Sequence, residues 1–344
     1  MNIQQLLGIE LPIIQAPMAG VQNSALAIAV SNAGGLGSLP CAMLGADALR
    51  AELALIRAGT NKPVNLNFFC HRTPKENQAS NDAWADMLQG YYAELGIQTS
   101  ASTGPARMPF NREMADIVCE FKPAVVSFHF GLPDAELLAL VRGCGAKIFS
   151  SATTLEEALW LEANGADAVI AQGFEAGGHR GMFLTEDINT QVGTFALLLQ
   201  LVQALKLPVI AAGGIADAQG VRAALELGAA AAQVGTAYLL CPEATTSAVH
   251  RTALKSRDAH ITALTNVFTG RPARGIVNRV MRELGPMSRH APAFPNAALA
   301  MAPLRAAAER DGSGDFSPLW AGQNVTGCRE VPAALLTREL AGII

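Results

Sequence analysis

The chain has 344 residues, half of them apolar and 16% charged, enough material for a large packed core. Its 25 basic residues face 29 acidic ones for a formal net charge of −4, and aromatics make up only 6%. That balance, with no long basic run, argues against a nucleic-acid surface that tracks phosphates or stacks bases.

The elements follow a repeating rhythm in which a short apolar run precedes a helical pattern. Ile13 to Met18 predicts a first strand and Asn23 to Asn32 a helix; Leu36 to Pro40 and Ala46 to Arg57 form the next pair. Val64 to Phe69 is a third strand, followed by a long interval with a helical stretch, Asn81 to Leu95, and a loop, Thr99 to Pro109. Ala124 to Phe130 with Asp134 to Arg142, and Lys147 to Ala152 with Leu155 to Asn164, supply the fourth and fifth pairs. Ala168 to Gly173 leads through a loop to a helix near Val192 to Leu205. Pro208 to Ile215 with Ala218 to Leu227 is the seventh pair, and Ala230 to Tyr238 is the eighth strand.

Runs that are apolar on both faces are what buried parallel strands require, and eight successive βα units predict a closed (β/α)8 TIM barrel, with an open doubly wound sheet as the structural alternative. Residues 1–239 together with 314–344 are assigned to the barrel. Residues 240–313, with helical patterns at Thr245 to Leu254, Glu283 to Ser288 and Asn296 to Arg310, are assigned to a small, mostly helical insertion covering the strand ends.

The six cysteines, Cys41, Cys70, Cys119, Cys144, Cys241 and Cys328, form neither a CxxC pair nor a zinc-type cluster with histidine. They are expected to be free thiols, and no metal site is expected. Met1 to Glu10 lacks the basic segment and apolar core of a secretory signal. The longest apolar stretches fall short of the roughly 20 residues that span a membrane. The expectation is a cytoplasmic protein with no membrane or nucleic-acid partner, and a homodimer is left open.

Barrel enzymes carry their reactive groups on the loops that follow the strands. Glycines at the seventh and eighth exits, in Gly213-Gly214 and Gly235-Thr236, suit a phosphate, because bare backbone N–H groups can approach its oxygens. The sixth exit reads Gln172-Gly173-Phe174-Glu175-Ala176-Gly177-Gly178-His179-Arg180-Gly181. His179, in a glycine-bordered loop that can approach a flat ligand, is the candidate catalytic base. Arg180 is a candidate anion-binding residue of the substrate pocket, and His129 a candidate pocket lining. Asn67 and Gln172 end buried strands with amides that need partners, from a ligand or from neighbouring backbone.

These segments carry a resemblance. PIIQAPMAG (Pro12 to Gly20), AGGLGSL (Ala33 to Leu39), VNLNFFCH (Val64 to His71), VSFHFG (Val126 to Gly131), QGFEAGGHRG (Gln172 to Gly181), PVIAAGGI (Pro208 to Ile215), QVGTAYL (Gln233 to Leu239) and FSPLWAGQ (Phe316 to Gln323) together resemble the nitronate monooxygenase family, formerly 2-nitropropane dioxygenases, and its class I members most. The resemblance implies a non-covalent FMN contacted by Asn67, Gln172, Gly177, Gly178, Gly213, Gly214, Gln233, Val234, Gly235 and Thr236. Pro17, Met18 and Ala19, and the stretch from Trp320 to Gln323, are implied to face it as well. It further implies that the GGH histidine, His179 here, is the catalytic base. The implied reaction is oxidation of alkyl nitronates, notably propionate 3-nitronate, by O2 to a carbonyl product with nitrite or nitrate, without NAD(P)H. Flavin-dependent enoyl-ACP reductases and NADH:quinone reductases share the scaffold and the GGH loop, and are the alternative reading. A non-catalytic flavin-binding protein is a third.

Overall fold

Successive side chains of a strand point to opposite faces, and in this chain the two faces sort cleanly. In β6 (Ala168–Gln172), Ala168 and Ile170 join one buried cluster, while Val169 and Ala171 join another with Leu197, Leu198 and Leu201 of the helix Thr194–Ala204. The first cluster also takes Ile14 from β1 (Ile13–Gln15), Val125 from β4 (Val125–His129), Phe149 from β5 (Lys147–Ala152), Ile210 and Ala212 from β8 (Val209–Ala212) and Ala231 from β9 (Ala231–Val234). Residues from so many strands can share one cluster only if the sheet curls on itself.

The structure, a computed structural model, describes residues 3–75, 77–98 and 108–343. With β2 (Gly37–Pro40) and β3 (Val64–Phe69), the parallel sheet runs β1-β9-β8-β6-β5-β4-β3-β2. A parallel bridge between Ile14 and Leu36, with the Leu36 N–H donating to Ile13 O at 2.9 Å, brings the two ends together. This is the predicted eight-stranded TIM-type barrel. A short helix, Ile3–Leu7, contributes Ile3 and Leu7 to the interior cluster. The predicted loop from Thr99 to Pro109 lies outside the described residues except for its last two.

Two findings differ from the sequence expectation. The segment 240–313 does contain helices, at Ala248–Lys255, Arg279–Leu284 and Ala297–Arg310, but also two strands, β10 (Thr262–Thr265) and β11 (Ala273–Ile276). They form an antiparallel sheet with the two-residue strand β7 (Gly178–His179), in which Ala273 pairs with His179. Four-residue strands in a helix-rich stretch leave too little alternation to read. Helix Gln78–Glu94 packs on helix Ala297–Arg310 rather than on the barrel, and Trp84 Nε1–H donates to Ala297 O at 3.3 Å.

The expectation of six free thiols fails at one pair. Cys119, in helix Arg112–Phe121, and Cys144, capping helix Ala135–Gly143, are joined as a disulfide with their Cα atoms 5.1 Å apart. The two helices are neighbours on the barrel exterior, so residues 25 apart in sequence meet in space. Cys41, Cys70, Cys241 and Cys328 are free.

Candidate active site

The last inward position of each strand builds the floor of a barrel's ligand site. Here Ala16 just after β1, Asn67 and Phe69 of β3, and His129, Ser151, Gln172, Ala212 and Gln233, one each from β4, β5, β6, β8 and β9, line one cavity of about 1270 Å³, mouth included. The same alternation explains a correction. Val234, expected at the ligand, points the other way and packs with Leu26, Val221 and Leu336.

The loops raise the walls. Pro17, Met18 and Ala19 follow β1, Gly177, Gly178 and His179 follow β6, and Trp320 enters from the C-terminal return. Gly177 is there for close packing, since a Cβ on it would come within 2.6 Å of Ala321 C and Gly322 N. Two motifs far apart in sequence are thereby pressed together. Gln323 departs from expectation: its N–H donates to Glu175 O at 2.9 Å, and it lines a separate recess with Thr194 and Asn324.

One end of the cavity has the chemistry of a phosphate site. Gly213 and Gly214 turn with φ of +121° and +71°, and a Cβ on Gly213 would lie 2.7 Å from Thr194 Oγ1, so only glycine is comfortable at the turn. A 3-10 turn, Thr236–Leu240, starts at Gly235. Among the described residues, no protein acceptor takes the N–H groups of Gly214, Gly235 and Thr236. Gln233 Oε1, on the floor, is buried without a hydrogen-bond partner among those residues. Buried polar atoms without partners are rare and point to a ligand or an ordered water.

At the other end stands His179. Its Nε2 lies 3.0 Å from Thr269 Oγ1, and its ring centroid is 5.3 Å from Phe294, 5.6 Å from Trp320 and 6.1 Å from Phe69. Its carbonyl oxygen is held twice: Gln172 Nε2–H donates to it at 2.9 Å, and His129 Nε2 approaches to 3.1 Å. A carbonyl only accepts, so His129 carries its hydrogen on Nε2, and its Nδ1 accepts from the Ser151 hydroxyl at 3.0 Å. Burial lowers the His129 pKa to about 3, with Arg271 and Arg180 adding to the effect and the bond to His179 opposing it. The ring is therefore neutral near pH 7. Gln172 Oε1 accepts the Gly181 N–H at 2.7 Å, and the Asn67 amide donates to Ser127 Oγ at 2.9 Å.

Arg180 is not a pocket residue. It is fully buried, and its guanidinium donates to Gln172 O and Gly173 O, each at 2.7 Å, and to Gln191 Oε1 at 2.8 Å. Burial, with Arg274 close by, lowers its pKa. It braces the loop that carries His179. Phe69, Ser151 and Thr269 were not among the expected site residues; the first two sit at strand exits, where inspection of inward positions finds them.

A closed parallel barrel whose strand exits gather two imidazoles, three floor amides and a glycine cradle in one cavity defines a barrel enzyme. The chain matches the family model described as nitronate monooxygenase over residues 2–341. A nitronate monooxygenase from Pseudomonas aeruginosa is 46% identical over 339 residues, which cover 98% of this chain and 97% of that one. Among solved structures, a nitroalkane oxidase from Streptomyces ansochromogenes superposes with a TM-score of 0.90 at 40% identity, covering 99% of this chain and 97% of the other. FabK from Thermotoga maritima superposes with a TM-score of 0.73 at 27% identity, covering 99% and 94%. The chain belongs to the nitronate monooxygenase family.

Proposed function

We propose that the protein oxidises alkyl nitronates with O2, using a non-covalent FMN, and releases a carbonyl product with nitrite or nitrate. The observation that carries this reading is that His179 lines the same cavity as the glycine cradle and the unpartnered amide oxygen of Gln233.

The residues present fit the cofactor. The N–H groups of Gly214, Gly235 and Thr236 suit the three oxygens of a terminal phosphate. Gln233, Asn67 and Gln172 line the same cavity with amides and Pro17 to Ala19 add apolar surface, groups that would hold a flat, polar-edged ring. When bound, a flavin supplies the electron transfer between substrate and O2 that no side chain can perform.

The chain's own groups do the rest. A neutral His179 accepts the α-proton of a nitroalkane, and the resulting imidazolium pairs with the nitronate oxygens. Gln172 and His129 fix the backbone on which that ring stands, and Trp320, Phe294 and Phe69 keep water from it. Nitrite release from 1-nitropropane by FMN-loaded protein tests the proposal. Yellow, FMN-containing protein that yields nitrite supports it, and protein that neither retains nor rebinds FMN overturns it.

A further inference from the structure

In a trans peptide the C=O and the N–H lie on opposite edges of one plane, so whatever holds the carbonyl also aims the N–H. Two of the three N–H groups of the glycine cradle are aimed by backbone alone. Gly235 N–H stands opposite Val234 O, which accepts from Ala16 N–H at 2.8 Å, and Thr236 N–H stands opposite Gly235 O, which accepts from Tyr238 N–H at 2.9 Å. Gly214 N–H is aimed differently. It stands opposite Gly213 O, and that carbonyl faces the Thr194 hydroxyl at 3.0 Å. The next carbonyl, Gly214 O, accepts from the Asn324 side-chain Nδ2–H at 3.0 Å. Two successive glycines at positive φ have little stiffness of their own, so this turn depends on two side chains. Neither borders the cavity; both line the recess on the other side of the turn.

Both side chains are placed by their surroundings. Thr194 opens the helix Thr194–Ala204, and a Cβ on Gly173 would come within 1.9 Å of its Oγ1, so bare backbone at Gly173 lets the hydroxyl in. Asn324 Oδ1 accepts from the Thr326 N–H at 3.2 Å and from its hydroxyl at 2.7 Å, which leaves the amide nitrogen facing Gly214. Thr194 has a single hydroxyl hydrogen, shared between Gly213 O and Glu175 Oε2, the latter at 2.7 Å. Asn324 donates undivided.

We infer that Thr194 and Asn324 are positioning residues that set the preference for a phosphorylated flavin without touching it, by fixing the two peptide planes of the Gly213-Gly214 turn. This rests on the FMN reading above and deepens it. A backbone N–H directed at a phosphate oxygen makes a charge-assisted bond, which weakens as the donor swings out of line. Riboflavin has the same ring and no phosphate, so its affinity does not depend on how this turn is held.

The test needs no turnover. The full chain, freed of bound flavin, is titrated with FMN and with riboflavin, and each Kd is read from the quenching of flavin fluorescence. The wild type should bind FMN the more tightly. Asn324→Ala and Thr194→Val should each weaken FMN binding by about fivefold to tenfold, the Asn324 variant more, while riboflavin binding stays within about twofold. Thr194→Ser keeps the hydroxyl and should stay within about twofold of the wild type for both flavins. Should Asn324→Ala not fold, the Thr194→Val and Thr194→Ser pair decides alone. FMN affinity unchanged in the variants, or both flavins weakened in parallel, overturns this inference and leaves the FMN reading standing. A wild type that binds neither flavin overturns that reading, and this inference with it.

Discussion

His129 donates its Nε2–H to the backbone carbonyl of His179 across 3.1 Å, so the strand β4 exit directly holds the residue proposed as the base. His179 belongs to a strand of two residues, Gly178 and His179, which has little stiffness of its own. Its position depends on this bond, on the second bond from Gln172 and on pairing with β11. The conservative variant His129→Gln can still donate to that carbonyl, whereas His129→Leu cannot. We expect His129→Leu to lower kcat for nitroalkanes about tenfold or more with flavin retained, and His129→Gln to recover part of the loss. Steady-state kinetics of the two variants check this, and equal losses would show that the bond does not position His179.

Replacing His179 itself should act on chemistry, not on cofactor binding. His179→Ala should keep a full complement of flavin and lose nitroalkane turnover by about 10²-fold or more. The loss on preformed nitronates should be smaller, because their proton is already gone. The comparison of the two substrate forms, with the flavin-to-protein ratio measured alongside, separates a base from a packing residue.

How far the site could be read from sequence depended on what each signal encodes. Strand exits are set by local pattern, so Asn67, Gln172, Gly213 and Gly214 were legible. Gln233 and Val234 were both expected at the ligand, but strand alternation turns only the Gln233 side chain to the cavity and sends that of Val234 to the helix layer. Arg180 misled because neighbouring sequence does not reveal where a long side chain turns, and here the carbonyls of Gln172 and Gly173 take it inward. Thr269 lies 90 residues from His179 and meets it only through the β10–β11 sheet, which a periodicity reading of residues 240–313 does not find.

Acid should destabilise the fold from an unusually high pH. Burial lowers the pKa of His129 to about 3 and of His250 to about 4, from 6.5. In each, desolvation is the largest cause, opposed by a hydrogen bond to a backbone carbonyl, of His179 and Trp320 respectively. Below pH 6.5 the unfolded chain takes up protons at these rings while the folded chain does not. Stability contributed by the neutral rings is therefore complete above 6.5 and lost as pH falls towards their folded values. Each proton adds a slope of about 1.4 kcal/mol per pH unit. Denaturant unfolding between pH 6.5 and 5 should show this slope, and His250→Met should flatten it by roughly one proton; an unchanged slope would contradict the assignment.

The bridge between Cys119 and Cys144 makes a counting prediction. Thiol titration of the denatured, unreduced protein should find four groups, Cys41, Cys70, Cys241 and Cys328, and six after reduction. Because the crosslink spans 25 residues, a Cys119→Ser, Cys144→Ser variant should be less stable by about 3 kcal/mol on the loop-entropy account. Six thiols without reduction would mean that the pair is not bridged in the protein as prepared.

The central claim is that one cavity brings a flavin and His179 together for nitronate oxidation without a nicotinamide. An oxygen electrode tests it most directly. FMN-loaded protein given propyl-1-nitronate in air, with no NADH or NADPH present, should consume oxygen at once and leave nitrite or nitrate behind. No oxygen uptake, together with rapid bleaching of the flavin by NADH, would contradict the account and make the chain a nicotinamide-dependent reductase on the same barrel.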